Sequence, residues 1–223
     1  LGDKTPLQYA RTPNMDRLAM EGTIGLVDTI PEGFTPGSDV ANLSVLGYNP
    51  HEFYSGRGPL EAANMGIHLD ADDVAFRCNL VTLSDGPDMR MDDFTADHIS
   101  SAEAREIILT LQAEMGNEIF QFYPGVGYRH LLVWRGGDVS PKTTPPHDIT
   151  GRLTAPYLPT GGEDEVLLDL MHRAKSILQN HPVNLERLDR GKKAANALWF
   201  WGQGKAPAMV PLTEKYEIRG GVI

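Results

Sequence analysis

Cysteine is nearly absent. Cys78 is the single one among 223 residues, which excludes an intramolecular disulfide and any zinc site built on paired cysteines. Long apolar runs are missing as well: no stretch approaches the roughly 20 residues that cross a bilayer, and the first residues lack the basic-then-apolar order of a signal peptide. Nor is there a surplus of basic residues. The formal charge of −10 argues against a nucleic-acid or anionic-membrane partner, because such binding needs a concentrated basic surface. Together these absences predict a protein of the reducing cytoplasm. They leave anionic small molecules open, provided a few arginines converge locally. What is present is an ordinary globular mixture, long enough for one large domain or two smaller ones.

Leu1-Gly2-Asp3-Lys4-Thr5-Pro6 is neither a methionine start nor a targeting segment. Arg219-Gly220-Gly221-Val222-Ile223 reads as a turn followed by the start of a strand. A piece of a longer polypeptide is the expectation. Between these ends, residues 13–21 read as a helix entered through Thr12-Pro13 and stopped at Gly22. A short strand over 25–30 and a turn-rich loop over 31–37 lead to a second helix opening at Ser38 and ended by Gly47. Residues 74–83, apolar and bounded by Asp72-Asp73 and Ser84-Asp85-Gly86-Pro87, read as a central strand. Residues 100–111 read as a helix with Ser100 and Glu103 at capping-box spacing. Two strands are predicted over 120–134 around Pro124-Gly125, a loop with five prolines over 140–160, an amphipathic helix over 163–180, and a strand over 195–201. This alternation predicts an α/β fold with at least partly parallel strands, in which residues 83–199 form an α+β unit.

Ser38 follows Pro36-Gly37 at a helix N-terminus, where free N–H groups and the helix dipole favour an anion. The same place suits a plain N-cap serine, and residue physics alone leaves both readings open. Pro36-Gly37-Ser38-Asp39-Val40-Ala41-Asn42-Leu43-Ser44, Gly56-Arg57-Gly58-Pro59-Leu60-Glu61-Ala62, Phe76-Arg77-Cys78-Asn79-Leu80-Val81-Thr82, Asp97-His98-Ile99-Ser100-Ser101, Tyr128-Arg129-His130, Pro146-His147-Asp148 and Trp199-Phe200-Trp201-Gly202-Gln203-Gly204 resemble, in order and spacing, archaeal-type 2,3-bisphosphoglycerate-independent phosphoglycerate mutases.

That resemblance implies an isomerase of glycolysis and gluconeogenesis. It would interconvert 2- and 3-phosphoglycerate through a phosphoserine on Ser38, without 2,3-bisphosphoglycerate. The implied fold is part of an alkaline-phosphatase-like core, residues 1–83, interrupted by a substrate-capping domain, residues 84–205, with a return to the core at 206–223. It further implies two divalent ions, manganese, magnesium or zinc. Ser38 would be one ligand and the others are expected outside this chain, so the chain alone is expected to be inactive and to hold no metal stably. An incomplete core sheet leaves open edges, so self-association is also expected.

Phosphoglycerate carries a phosphate and a carboxylate, both matched by arginine's fork. The candidates are Arg57, Arg77 and Arg129, with His98, His147 and Asp148 as further contacts. Each has a plainer reading: a loop arginine at 57, a structural ion pair at 77, a solvent-facing side chain at 129, a helix-start contact at His98 and a local His147-Asp148 pair. Trp199, Phe200 and Trp201 read mainly as core, Lys205 as solvated, and His51, His68, His172 and His181 as structural. Two rivals accompany the mutase reading: a related phosphotransferase such as a proposed homoserine kinase, and a non-catalytic binding domain.

Overall fold

Proline and glycine punctuate the first 52 residues into short helices. In the computed structural model, which describes residues 2–219, these are α1 (Pro6–Tyr9), α2 (Pro13–Glu21), α3 (Ser38–Val45) and α4 (Pro50–Phe53). Proline opens α1, α2 and α4, where its missing N–H costs nothing. Helices α1 and α2 bury no residue, whereas α3 buries Val40 and Leu43. The strand predicted over 25–30 does not form. Ile24, Leu26 and Val27 are exposed, and a strand needs a partner for its backbone groups, which none of the described residues offers it. The turn and strand start predicted at 220–223 lie outside the described residues.

The chain divides into two compact units, Leu1–Glu52 and Phe53–Ile223. The second contains α5 (Arg57–Asn64), β1 (Val74–Leu83), β2 (Met91–Asp93), α6 (Ser101–Met115), β3 (Phe120–Tyr123), β4 (Arg129–Trp134), α7 (Asp164–Leu178), α8 (Pro182–Asp189), β5 (Ala197–Gly204) and α9 (Leu212–Tyr216). Residues 135–163 are loop with two 3-10 turns, Pro146–Ile149 and Ala155–Tyr157. No helix among the described residues is long and apolar enough to cross a membrane.

Strand β1 is buried along its whole length because it is paired on both sides, with β4 on one and β5 on the other. β3 lies outside β4, and β2 pairs with the end of β1. Every neighbouring pair of strands among the described residues is antiparallel, so the expectation of at least partly parallel strands is corrected as regards neighbours. The physical reason is the position of β1. The helical crossover from β4 through α7 and α8 to β5 does join two strands of the same direction, but β1 lies between them.

Alternation along β1 makes two unlike faces. Val74, Phe76, Cys78 and Leu80 join Leu132, Leu198 and Phe200 in the main core, which α6 and α7 complete with Ile107, Ile108, Leu111, Leu167 and Leu170. On the opposite face Ala75 belongs to a small cluster with Ala62 of α5, Leu131 and Val133, while Val81 belongs to another with Ile149, Trp199 and Trp201. Arg77 and Asn79 fall between these two apolar patches.

The predicted capping box on α6 forms. Ser100 Oγ accepts from Glu103 N, and the Glu103 carboxylate accepts from Ser100 N. Glu103 also accepts from Arg187 and Arg190 of the α8 region, at 3.0 and 2.7 Å. The fully buried Arg187 continues to Ala96 O and Lys193 O. This network secures an uncommon turn in which Ala96, Asp97 and His98 all have positive φ.

Candidate active site

Three of the predicted residues come together on the polar strip of the β1 face. Arg77 sits opposite Trp201 of β5, and Asn79 sits opposite Arg129 of β4. Arg57, the first residue of α5, joins them because α5 lies close against the sheet. A Cβ on Gly58 would collide with the Ala75 carbonyl, and one on Gly56, whose φ is 129°, with Gln203. Glycine at both positions permits that approach. The Arg57 and Arg77 guanidinium carbons lie 5.4 and 5.7 Å from the Trp201 ring centroid.

Arg77 is the most enclosed member, with its side chain only 9% exposed. It forms an ion pair with Glu61 of α5, yet its buried Nε–H has no hydrogen-bond partner among the described residues. Burial holds its guanidinium below the usual arginine value; Glu61 opposes that, and the positive charges of Arg57 and Arg129 reinforce it. Arg129 is exposed and lies over the Tyr128 ring at 5.5 Å. Its hairpin is fixed by the next residue, His130, which is fully buried. Burial pushes the His130 imidazole down to about 3, leaving it neutral, and its Nδ1 accepts from Gly125 N at 3.0 Å.

His147, in the first 3-10 turn, packs on the edge of Trp201 with centroids 5.3 Å apart. The loop that carries it is stitched to β5: Trp199 Nε1 donates to Thr144 O at 2.8 Å, Thr143 Oγ1 donates to Gln203 Oε1 at 2.6 Å, and Gln203 Nε2 donates to Pro141 O. Asp148 is exposed, 3.7 Å from His147. Phe94 bridges the rings of Tyr128 and His147 at 5.8 and 6.0 Å. A cavity of about 540 Å³ opens beside Arg57 and Trp201, lined also by Ser55, Lys142, Thr143 and Gln203.

The remaining candidates lie on other elements. His98 is exposed on the left-handed turn, its backbone N–H held by Thr95 Oγ1, and no side-chain contact joins it to the arginines among the described residues. Ser38 lies in the first unit, where it is the first residue of α3 and Gly37 occupies the cap position. Lys205 pairs with Asp72 at 3.2 Å, and His181 caps α8 by accepting from Val183 N. Among the described residues no three His, Cys, Asp or Glu side chains are grouped so that they could hold a metal ion. They do not, by themselves, fit the implied pair of divalent ions.

Glu61, Asn79, Phe94 and a site role for Trp201 were not drawn from the sequence as primary readings. The signal for Asn79 was there: it stands two residues from Arg77, so both polar side chains of this apolar strand share one face.

A family model described as 2,3-bisphosphoglycerate-independent phosphoglycerate mutase matches residues 19–184. A protein of Geobacter sulfurreducens named as a probable enzyme of that kind is 54% identical over 100% of this chain and 56% of its own length. One from Methanosarcina barkeri, named as that enzyme, is also 54% identical with the same coverage. Among solved structures, the cofactor-independent phosphoglycerate mutase of Thermoplasma acidophilum is similar with a TM-score of 0.59 and 33% identity, covering 79% of this chain and 49% of that one. A Pyrococcus horikoshii protein is similar at 0.68 and 30%, covering 96% and 49%. The chain spans about half the length of the relatives it matches. With its sequence motifs and this breadth of similarity, the chain belongs to the 2,3-bisphosphoglycerate-independent phosphoglycerate mutase family.

Proposed function

We propose that this chain contributes the substrate-holding part, and the serine, of a phosphoglycerate mutase that interconverts 3- and 2-phosphoglycerate without 2,3-bisphosphoglycerate. The observation that carries this reading is the buried Arg77 Nε–H, without a partner among the described residues and under the positive charges of Arg57 and Arg129. A buried donor left unpaired is costly, so this one gains by meeting an anionic acceptor. Phosphoglycerate offers two anionic groups on a short skeleton, and arginine can grip either with paired N–H donors. In this reading Arg57, Arg77 and Arg129 hold the substrate, and Ser38 is the residue that receives the phosphoryl group. The Ser38 Oγ–P bond forms as the substrate's O–P bond breaks, and the proton lost by the Ser38 hydroxyl is balanced by the one gained by the released glycerate oxygen. Return of the phosphoryl group to the neighbouring hydroxyl completes an isomerisation with no net water or electrons.

The test is conversion of 3-phosphoglycerate to 2-phosphoglycerate with added manganese, on this chain and on a chain carrying these residues at the relatives' full length. The longer chain should turn over, Ser38→Ala should abolish turnover, and Arg77→Met should raise KM. Absence of conversion in both chains would remove the mutase reading.

A further inference from the structure

We propose that Trp201 is a positioning residue, locked by Asn79, that sets the separation of Arg57, Arg77 and His147; the inference rests on the arginine strip being the phosphoglycerate site. Trp201 is only 5% exposed, so on burial alone it would count as core. It belongs to the apolar cluster with Val81 and Ile149, yet its ring also meets charged and polar groups. Two guanidinium groups lie within 6 Å of its ring centroid, at 5.4 and 5.7 Å, and His147 meets the ring at an interplanar angle of 75°. Trp199, two residues earlier on the same face of β5, offers an internal contrast: it shares the apolar cluster and donates to a backbone carbonyl, and no guanidinium of the described residues lies over its ring.

The two guanidiniums carry like charge, and that of Arg57 acts on Arg77 against the pull of Glu61. An indole ring with both of them over it offers each a region of negative potential and so steadies an arrangement that repulsion would otherwise splay. For this the ring must not turn. The Trp201 Nε1–H donates to Asn79 Oδ1 at 3.0 Å, and Asn79 is 2% exposed. Asn79 projects from the same face of β1 as Arg77, so one strand holds both the arginine and the anchor of its aromatic support. Fixing these groups beforehand spares the substrate the ordering cost of assembling them.

The experiment measures KM for 3-phosphoglycerate and the thermal midpoint in the active longer chain for Trp201→Leu, Trp201→Phe, Asn79→Ala and Arg77→Met. Trp201→Leu should raise KM about tenfold, the size of a desolvated cation–π contact. Trp201→Phe, which keeps an aromatic face, should recover most of that. Asn79→Ala, which frees the ring without removing it, should raise KM by about threefold. A side chain that only fills core would lower the thermal midpoint and leave KM unchanged, and that result for Trp201→Leu overturns the proposal. Should Trp201→Leu fail to fold, unchanged KM in Asn79→Ala overturns it instead. Unchanged KM in Arg77→Met defeats the substrate-site reading and this inference with it; raised KM there beside unchanged KM at position 201 defeats the inference alone. In the 223-residue chain, the indole N–H resonance lost in Trp201→Phe should shift on adding 3-phosphoglycerate.

Discussion

The two faces of one central strand have unlike chemistry. Phe76, Cys78 and Leu80 point into a core closed by α6 and α7, while Arg77 and Asn79, alternating with them, form a charged strip between two apolar patches. The first face stabilises the second unit. The second holds a buried guanidinium whose Nε–H has no partner among the described residues, which costs stability unless an acceptor completes it. The difference shows that burial alone does not separate core from site: Phe76 at 0% and Arg77 at 8% exposure are adjacent in sequence and nearly equally enclosed.

The comparison breaks most visibly on the core face. Phe76→Ala should cost about 3–5 kcal/mol of stability, read by denaturant unfolding, while phosphoglycerate affinity of the folded fraction stays within about twofold. The opposite outcome is expected one residue on. Arg77→Met should reduce 3-phosphoglycerate affinity on the order of 100-fold by calorimetry, while the partly exposed Glu61 carboxylate it leaves unpaired limits the stability loss to roughly 1–3 kcal/mol.

Glu103 sharpens the contrast with a charge that is structural. Burial alone raises its carboxyl value, but the Ser100 hydroxyl and N–H, with Arg187 and Arg190, more than reverse this and hold it at about 2, against 4.5 ordinarily. A depressed folded value means the stabilisation is present above about 4.5 and is lost as pH falls through about 2. Glu103→Gln should lose roughly 1.5–3 kcal/mol at neutral pH and flatten that acid limb in pH-dependent melting, without altering phosphoglycerate affinity. The smallest effect is expected at the exposed His68–Asp70 pair, whose side chains are 86% and 74% exposed. Asp70→Asn should shift the thermal midpoint by no more than about 0.5 kcal/mol allows.

Local signals were legible in the sequence wherever a segment carried its own reasons. β1 spans the predicted 74–83, and the Ser100–Glu103 box opens α6. Helix α5 was not predicted, and the plain reading of Arg57 put it in a loop, whereas Gly56 and Gly58 allow close approach to the sheet and Pro59 falls in a tolerant first turn. Strand direction was not legible either. Periodicity identifies β4, α7 and β5 but cannot show that β1 inserts between the two strands. At the site, the arginines came from motif resemblance, and the period-2 alternation that puts Asn79 on the face of Arg77 was present but unused. That Trp201 rather than Trp199 meets the charges depends on the register between β1 and β5, which no local signal encodes.

The measurement that bears most directly on the central claim is the NMR signal of the Arg77 Nε–H, assigned by its loss in Arg77→Met, as 3-phosphoglycerate is added to the chain. The account predicts a ligand-dependent shift and slowed solvent exchange as that donor gains an acceptor. A resonance unmoved at ligand concentrations that saturate binding elsewhere on the chain would contradict it.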